Sequence, residues 1–488
     1  MRKWSAFILV VFVTFGARVY GVASESVWYD EAISVAYLHE NSLPALLDGI
    51  LRDDALKVPM YFYLQYGWWH YISSTVVGLR WLTLLTSLLT VSALYWGAAR
   101  YWGVLVASVA SLGFALSIPM IFYGQEIRMY MQMYLFALLS WLALYGAARG
   151  SRQAWILNAV FNLLLIQTHL FGVFSVCVQF LFVIITQFRY WRRIAVWSAA
   201  QGAIGLTLVP WVMQFDANTP AMSWIPTPSV TAIFKSLLLV YPGASINSDY
   251  PLPVSWFPGM VAAAALAVAL AAYGLRTIWR AEDRDTTLLA WLLCWLLGPP
   301  LTLFAVSFLF RPCYVDRYAL YAAFPFFFLM AFGVRSLGPR TRAVSCVALL
   351  FLGVTNVSAI QRPIRPDMDK AFAQVKFGAA EGDRVVVRGM GYEFCLRTYL
   401  PLLNENEVST QISIRKSVRD VARGERIWFV LDPYSADFAR WMDVFDDAAA
   451  NGSVRIARRD VIATVRPVHV FLLVPGEAAV NGKLNDRR

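Results

Sequence analysis

Charge is scarce in this chain. Asp, Glu, Lys and Arg make up 15% of its 488 residues, where soluble globular proteins carry about 25%. With 59% hydrophobic residues and a mean hydropathy of +0.54, that scarcity excludes an ordinary soluble domain and points to a membrane protein. Cysteine is also rare. Cys177, Cys294 and Cys346 lie in apolar runs, Cys313 in a short loop and Cys395 near the C-terminus. They form no CxxC or Cys/His spacing, so neither a zinc module nor a disulfide framework is indicated, and they read as small packing residues. Internal repeats and low-complexity tracts are lacking. The start, Met1-Arg2-Lys3 before an apolar run, resembles a signal peptide without a small-x-small cleavage site, so a retained first helix is expected.

The net charge of +11 is not a nucleic-acid footprint, because much of the Arg lies in short loops between apolar segments. Nineteen Trp and 23 Tyr suit the aromatic belts of a membrane protein. A helix crossing a bilayer needs roughly 17–25 apolar residues. On that measure about eleven segments qualify, near 4–22, 79–97, 103–122, 130–148, 154–168, 172–188, 194–213, 258–275, 288–310, 319–334 and 343–360. The fold class expected is therefore a polytopic α-helical membrane protein.

Arg and Lys set its orientation. Arg2-Lys3, Arg100, Arg149, Arg152, Arg189, Arg192, Arg193, Arg276, Arg280, Arg284, Arg335, Arg340 and Arg342 share one set of loops, expected to be cytoplasmic. The loop 23–78, the Tyr123–Tyr130 connection, the His169 corner, the loop 214–257, the Arg311–Tyr318 connection and the C-terminal tail then share the outer side. In the first outer loop, Leu43–Ile50 and Met60–Tyr71 read as interfacial helices. The second carries Pro220, Pro226, Pro228, Pro242, Pro251, Pro253 and Pro258, which disfavours long helices and suits an ordered cap or lid. After about residue 360 the composition turns mixed and charged. Apolar runs at 384–388, 427–431 and 470–474, with helical stretches near 367–380 and 436–450, predict a small C-terminal α/β domain over 361–488, after a membrane domain over 1–360.

The residues able to do chemistry collect on the outer side. Asp30 and Glu31, in Trp28-Tyr29-Asp30-Glu31-Ala32, follow the first span, where adjacent carboxylates are costly unless water, a partner or a substrate compensates them. Asp30 is the candidate general base for an acceptor hydroxyl. Glu31 orients it, couples to it as a like charge, or binds a metal, and solvated loop carboxylates are the bland alternative. Lys57 suits a lipid-borne phosphate or is a snorkelling interfacial lysine. Glu126 and Arg128 precede the fourth span, Glu126 as a helix cap or as an acid near the site. His169 sits in a tight corner, as a satisfied structural residue or a phosphate or metal contact. Arg317, in Asp316-Arg317-Tyr318, can fork onto a phosphate or be an ordinary membrane-edge arginine.

In this order, these residues resemble bacterial GT-C glycosyltransferases of the protein O-mannosyltransferase and aminoarabinose transferase type. The W-x-D-E-A loop is matched by Trp28–Ala32. A Pro-containing interfacial helix, H-P-P-L-Y-Y or E-K-P-P in the family, is matched in part by Lys57-Val58-Pro59-Met60-Tyr61. S-Q-E-A-R-M-Y is matched by Gly124-Gln125-Glu126-Ile127-Arg128-Met129-Tyr130, H-Y-F-G by His169-Leu170-Phe171-Gly172, and R-Y-L-L-Y by Arg317-Tyr318-Ala319-Leu320-Tyr321. The likeness covers roughly residues 1–335.

The resemblance implies an inverting transferase whose sugar donor is a polyprenyl phosphate. Asp30, with Glu31, would activate the acceptor hydroxyl; Lys57, Arg317 and Tyr318 would hold the donor phosphate; Glu126, Arg128 and His169 would support them. It implies a bacterial inner membrane, an extracytoplasmic site, and a lipid, polysaccharide or protein acceptor, with no nucleic acid. Leu56-Lys57-Val58 departs from the family's second-loop pair, so a metal ligand found there in some relatives is missing and a divalent cofactor stays open. The alternatives are a transporter or flippase of a lipid-linked glycan, for which the expected inverted repeat is not evident, and a non-catalytic synthase subunit.

Overall fold

The computed structural model describes residues 2–23, 25–53, 57–214, 225–245, 257–360, 366–389, 392–400, 408–409, 414–435, 437–464 and 467–477. The chain divides into two compact units, Met1–Ala23 with Glu40–Gln361, and Ser24–His39 with Arg362–Arg488. The segment bearing Asp30 and Glu31 thus belongs with the C-terminal residues.

In the first unit, each of the eleven apolar segments is helical wholly or in part. Six helices among the described residues are long and apolar enough to cross a membrane: Val76–Trp102, Tyr130–Ala148, Val261–Arg280, Thr286–Leu309, Asp316–Ser336 and Pro339–Ser358. The chain is a multi-pass membrane protein. The expected count of about eleven is larger than these six, for identifiable reasons. Arg2–Val19 carries Arg2, Lys3 and Arg18 in its 18 residues. Arg152–Thr168 has 17 residues, and Gly172–Gln187 and Trp191–Leu206 have 16 each, about 24–26 Å at 1.5 Å per residue. The segment 103–122 is split into Val104–Ala115 and Ile118–Tyr123, where Pro119, lacking an N–H, starts a new helix.

Polar side chains join the helices inside. Asn158 donates to Ser140 Oγ at 3.0 Å and to Gln179 at 3.0 Å, Asn162 to Gln179 at 2.8 Å and Gln201 at 3.0 Å, and Trp197 to Asn158 at 2.8 Å. Four consecutive helices share this network, which satisfies groups that lipid cannot. The Phe257–Arg280 and Phe324–Ser336 helices cross at Gly274 and Gly333. A Cβ on either would lie 2.0 Å from the other helix's carbonyls, so only glycine permits that approach. The bundle has distinct ends. Arg149 pairs with Asp285 at 2.8 Å just past the last residue of the Tyr130–Ala148 helix, while Tyr130 opens its other end.

Outside the spans, Leu43–Asp53 and Met60–Tyr71 are helical, as their patterning predicts. In the proline-rich loop, Val230–Lys235 is an α-helix continued by a π-helical turn, Ser236–Val240. Pro220, Pro251 and Pro253 lie outside the described residues.

The second unit contains a five-stranded sheet: β1 (Arg384–Arg388), β2 (Val408–Ser409), β3 (Ile427–Leu431), β4 (Val454–Ile462) and β5 (Val468–Pro475), in the order β2-β1-β3-β5-β4. β1 pairs in parallel with β2 and β3, whereas β5 is antiparallel to β3 and β4. β3 is buried along its whole length, as a central strand should be. The Phe438–Ala450 helix packs Trp441 and Phe445 on Phe429 and Phe471. β4 carries Arg455, Arg458, Arg459 and Asp460, the charged pattern of an edge strand protected from further pairing.

Candidate active site

The candidate residues of the first unit gather at a buried turn. Every residue from Ile121 to Tyr130 is buried, including the peptide groups of a loop, which need partners once removed from water. Arg18 is central to how the turn is held. Its guanidinium donates to Ala115 O and Met120 O at 3.0 Å each and to Thr14 O at 3.2 Å, closing the carbonyl ends of the two helices that flank the break. Gln125 then donates to Arg18 O at 2.6 Å. Gly124 follows because a Cβ there would come within 2.6 Å of Arg18 Nε and 2.8 Å of Met120 O. The turn that results carries Glu126 and Arg128 into the interior. Glu126 is not the cap of the following helix: that position is Met129, with no side-chain capping bond.

Around the turn lies an aromatic and cationic cluster. Arg317 stands 5.7 Å from the Tyr130 ring and 5.5 Å from its neighbour Tyr318. Tyr134 donates to Arg317 O at 3.0 Å, which fixes the backbone that launches the side chain. Tyr123 packs on Tyr130 at 5.1 Å, within electrostatic reach of Arg317, Glu126 and Asp316. His169, at the end of the Arg152–Thr168 helix, lies 5.2 Å from Tyr318 and 6.0 Å from Tyr130. Burial first, then the charges of Arg128 and Arg317, push its pKa down to about 3, so at neutral pH the ring is uncharged. Its Nδ1 accepts from the Phe171 N–H at 3.2 Å, which leaves the ring proton on Nε2 as a donor. Asp316 is buried and accepts from Ser236 Oγ, which also bonds the Tyr314 hydroxyl at 2.7 Å. The π-helical turn Ser236–Val240 therefore fixes the residue beside Arg317.

Of the sequence-predicted residues, this unit gathers Glu126, Arg128, His169, Arg317 and Tyr318. Lys57 is also buried, and its neighbour Val58 packs with Ile166 and Leu170 next to the His169 corner. Arg18 was missed, although an arginine inside an apolar span is itself a signal. Ser236 carried no signal.

Asp30 and Glu31 sit in the first turn of the Tyr29–Ala36 helix in the second unit, at 6% and 0% exposure. Tyr399 anchors the residues before it: its hydroxyl accepts from the Val27 N–H at 2.6 Å and lies 3.0 Å from Ser26 Oγ. The helix packs on Tyr392–Tyr399, bringing both carboxylates near Cys395 and Glu393. Burial pushes the Cys395 thiol well up, and the carboxylates of Glu393, Glu31 and Asp30 add to the shift. Among the described residues no group of three or more His, Cys, Asp or Glu comes together in a way that could hold a metal. The donor set that a divalent cation takes is therefore not found among them.

No family model matches the chain, and no curated protein matches it in sequence. Solved structures do match in fold. ArnT from Cupriavidus metallidurans bound to undecaprenyl phosphate aligns with a TM-score of 0.57 at 11% identity, over 96% of this chain and 97% of that one. The same protein in the apo state gives 0.58 at 12% over the same shares. The oligosaccharyltransferase AglB from Archaeoglobus fulgidus, in complex with an inhibitory peptide and a dolichol-phosphate, gives 0.54 at 10%, over 98% of this chain and 77% of that one. The chain has the GT-C fold. In that fold the buried turn, the His169 corner and the start of the Asp316–Ser336 helix converge at one end of the bundle, where Tyr130, His169 and Tyr318 touch.

Proposed function

We propose that this GT-C chain is an inverting glycosyltransferase that moves a sugar from a polyprenyl phosphate to a hydroxyl of an envelope acceptor, on the outer face of a bacterial inner membrane. The observation that carries the reading is the buried cluster of Arg128, Arg317, neutral His169 and three tyrosines at one end of the bundle. Such a cluster sets donors and two guanidinium groups in a buried place beside the carboxylates of Glu126 and Asp316, which suits a phosphate whose charge grows as a bond breaks. The neighbours of like fold are bound to undecaprenyl phosphate and dolichol-phosphate.

In this reading the acceptor oxygen attacks the anomeric carbon from the face opposite the phosphate. A carbon–oxygen bond forms, the bond to the phosphate oxygen breaks, and the electron pair leaves on the phosphate. Asp30 takes the hydroxyl proton, and Glu31 beside it orients it. Arg317, Lys57 and Tyr318 bind the departing phosphate, and His169 donates from Nε2 without adding charge. Sugar transfer by the purified chain tests this, with a panel of polyprenyl-phosphate sugars and extracted envelope acceptors, beside Asp30→Asn of equal thermal stability. Transfer by wild type and its loss in Asp30→Asn supports the reading. Equal transfer by both removes Asp30 from it. Donor binding without transfer to any acceptor favours a carrier of lipid-linked glycan.

A further inference from the structure

A second polar feature of the first unit is uncharged. Between the Val104–Ala115, Phe257–Arg280, Phe324–Ser336 and Pro339–Ile360 helices is a cavity of about 90 Å³, several times the 10–15 Å³ that one water needs. Leu112, Phe327, Met330 and Leu349 are among its apolar walls. Two polar side chains also face it, Ser117 and Asn356, at 2% and 6% exposure. The Asn356 amide nitrogen donates to Leu116 O and Gly243 O at 3.2 Å each. Those two carbonyls settle which way the amide points, and its Oδ1 is left buried without a hydrogen-bond partner, as is Ser117 Oγ. Leaving two such atoms in an apolar wall costs about 1–3 kcal/mol each, a penalty that a ligand carrying a complementary group would remove.

Among the described residues no charged side chain lines the cavity, so it does not suit a phosphate or a carboxylate. It suits an aliphatic chain with one neutral hydrogen-bond donor at its polar end. We infer that this cavity is a binding site for a neutral membrane amphiphile, a lipid chain bearing a hydroxyl or amide N–H that donates to Asn356 Oδ1 and meets Ser117 Oγ. Cys346, Leu350 and Ala263 on its wall belong to two of the membrane-crossing helices, and Leu350 is 43% exposed, which gives such a chain a lateral way in from the bilayer. Ser117 immediately precedes the Ile118–Tyr123 helix that ends beside Tyr130, so the ligand lies at the same end of the bundle as the Arg317 cluster. The inference stands whether or not the chain transfers sugar, since binding is read without turnover.

The full-length protein in detergent, labelled with a diazirine-bearing long-chain alcohol, tests it. Saturable labelling of peptides from the four helices is expected, competed by dodecanol and not by dodecyl phosphate or dodecane. Asn356 also clamps two carbonyls, so its variants risk misfolding, whereas Ser117 makes no capping bond. Ser117→Ala is expected to weaken labelling about five-fold, the size of one hydrogen bond, and Ala267→Phe, which fills the cavity, to abolish it. Non-saturable labelling, equal competition by dodecane, or labelling unchanged in both variants would overturn the proposal and leave the cavity to water.

Discussion

The two units handle buried charge in opposite ways. In the membrane unit the cations Arg18 and Arg317 are held by backbone carbonyls and aromatic faces: Arg18 closes the ends of two helices, and Arg317 lies between Tyr130 and Tyr318. In the second unit two buried carboxylates, Asp30 and Glu31, ride on an eight-residue helix. Tyr399 fastens the chain just before that helix, together with the Asp369 N–H on Ser26 Oγ. Arg18 and Arg317 are thus built into the bundle, whereas Asp30 and Glu31 belong with a small α/β unit. On the proposed function this difference would be a division of labour, with Arg317 of the first unit serving the phosphate and Asp30 of the second serving as base.

The largest expected effects test that division directly. Arg317→Ala should lower sugar transfer about 10²–10³-fold, as removal of a preorganised charge donor does, and Asp30→Asn about 10²–10⁴-fold, neither shifting the thermal midpoint appreciably. A similar loss from both accompanied by unfolding would mean that the residues are structural instead.

Arg18→Met comes next. It removes the Arg18 bond to Ala115 O, at about 1–3 kcal/mol for a buried group left unpaired, while Met120 O keeps the Gly124 N–H; the loss is partly offset because a buried cation is removed as well. A clear drop in thermal midpoint is expected, and an unchanged midpoint would show that the turn holds itself.

Tyr399→Phe tests the other side. Losing the hydroxyl removes its bonds to Val27 and Ser26, about 1 kcal/mol, so transfer should fall about five-fold. Binding of polyprenyl phosphate should stay as in wild type. Weakened phosphate binding instead would break the proposed separation of roles.

The smallest effect concerns pH. His169 is neutral when folded down to about pH 3, whereas in the unfolded chain it takes a proton below about 6.5. The unfolded state binds more protons between those values, so stability falls as pH drops from about 6.5 toward 3. Thermal midpoints at pH 7 and pH 5 should show a smaller loss in His169→Gln than in wild type, and identical losses would show that His169 does not carry the dependence.

Much of the architecture was legible in the sequence, for physical reasons. β1, β3 and β5 are apolar runs of strand length, and the membrane helices announce themselves by hydropathy. β4 was not legible, because an edge strand protects itself with Arg455, Arg458 and Arg459 and so looks like a loop. The turn 121–130 read as a connection, but its burial depends on Arg18, which lies about a hundred residues earlier. The pairing of the Asp30 helix with Tyr392–Tyr399 depends on contacts more than 360 residues apart, which no local pattern encodes. Gln125, Glu126 and Arg128 were visible as a motif, and Ser236 became visible only through its bond to Asp316.

The most direct test of the central claim separates binding from transfer in two variants. Polyprenyl-phosphate affinity and sugar transfer would be measured together for wild type, Arg317→Ala and Asp30→Asn. The account predicts that both variants lose transfer, while only Arg317→Ala loses affinity. Undiminished affinity in Arg317→Ala, or affinity lost equally in Asp30→Asn, would contradict it.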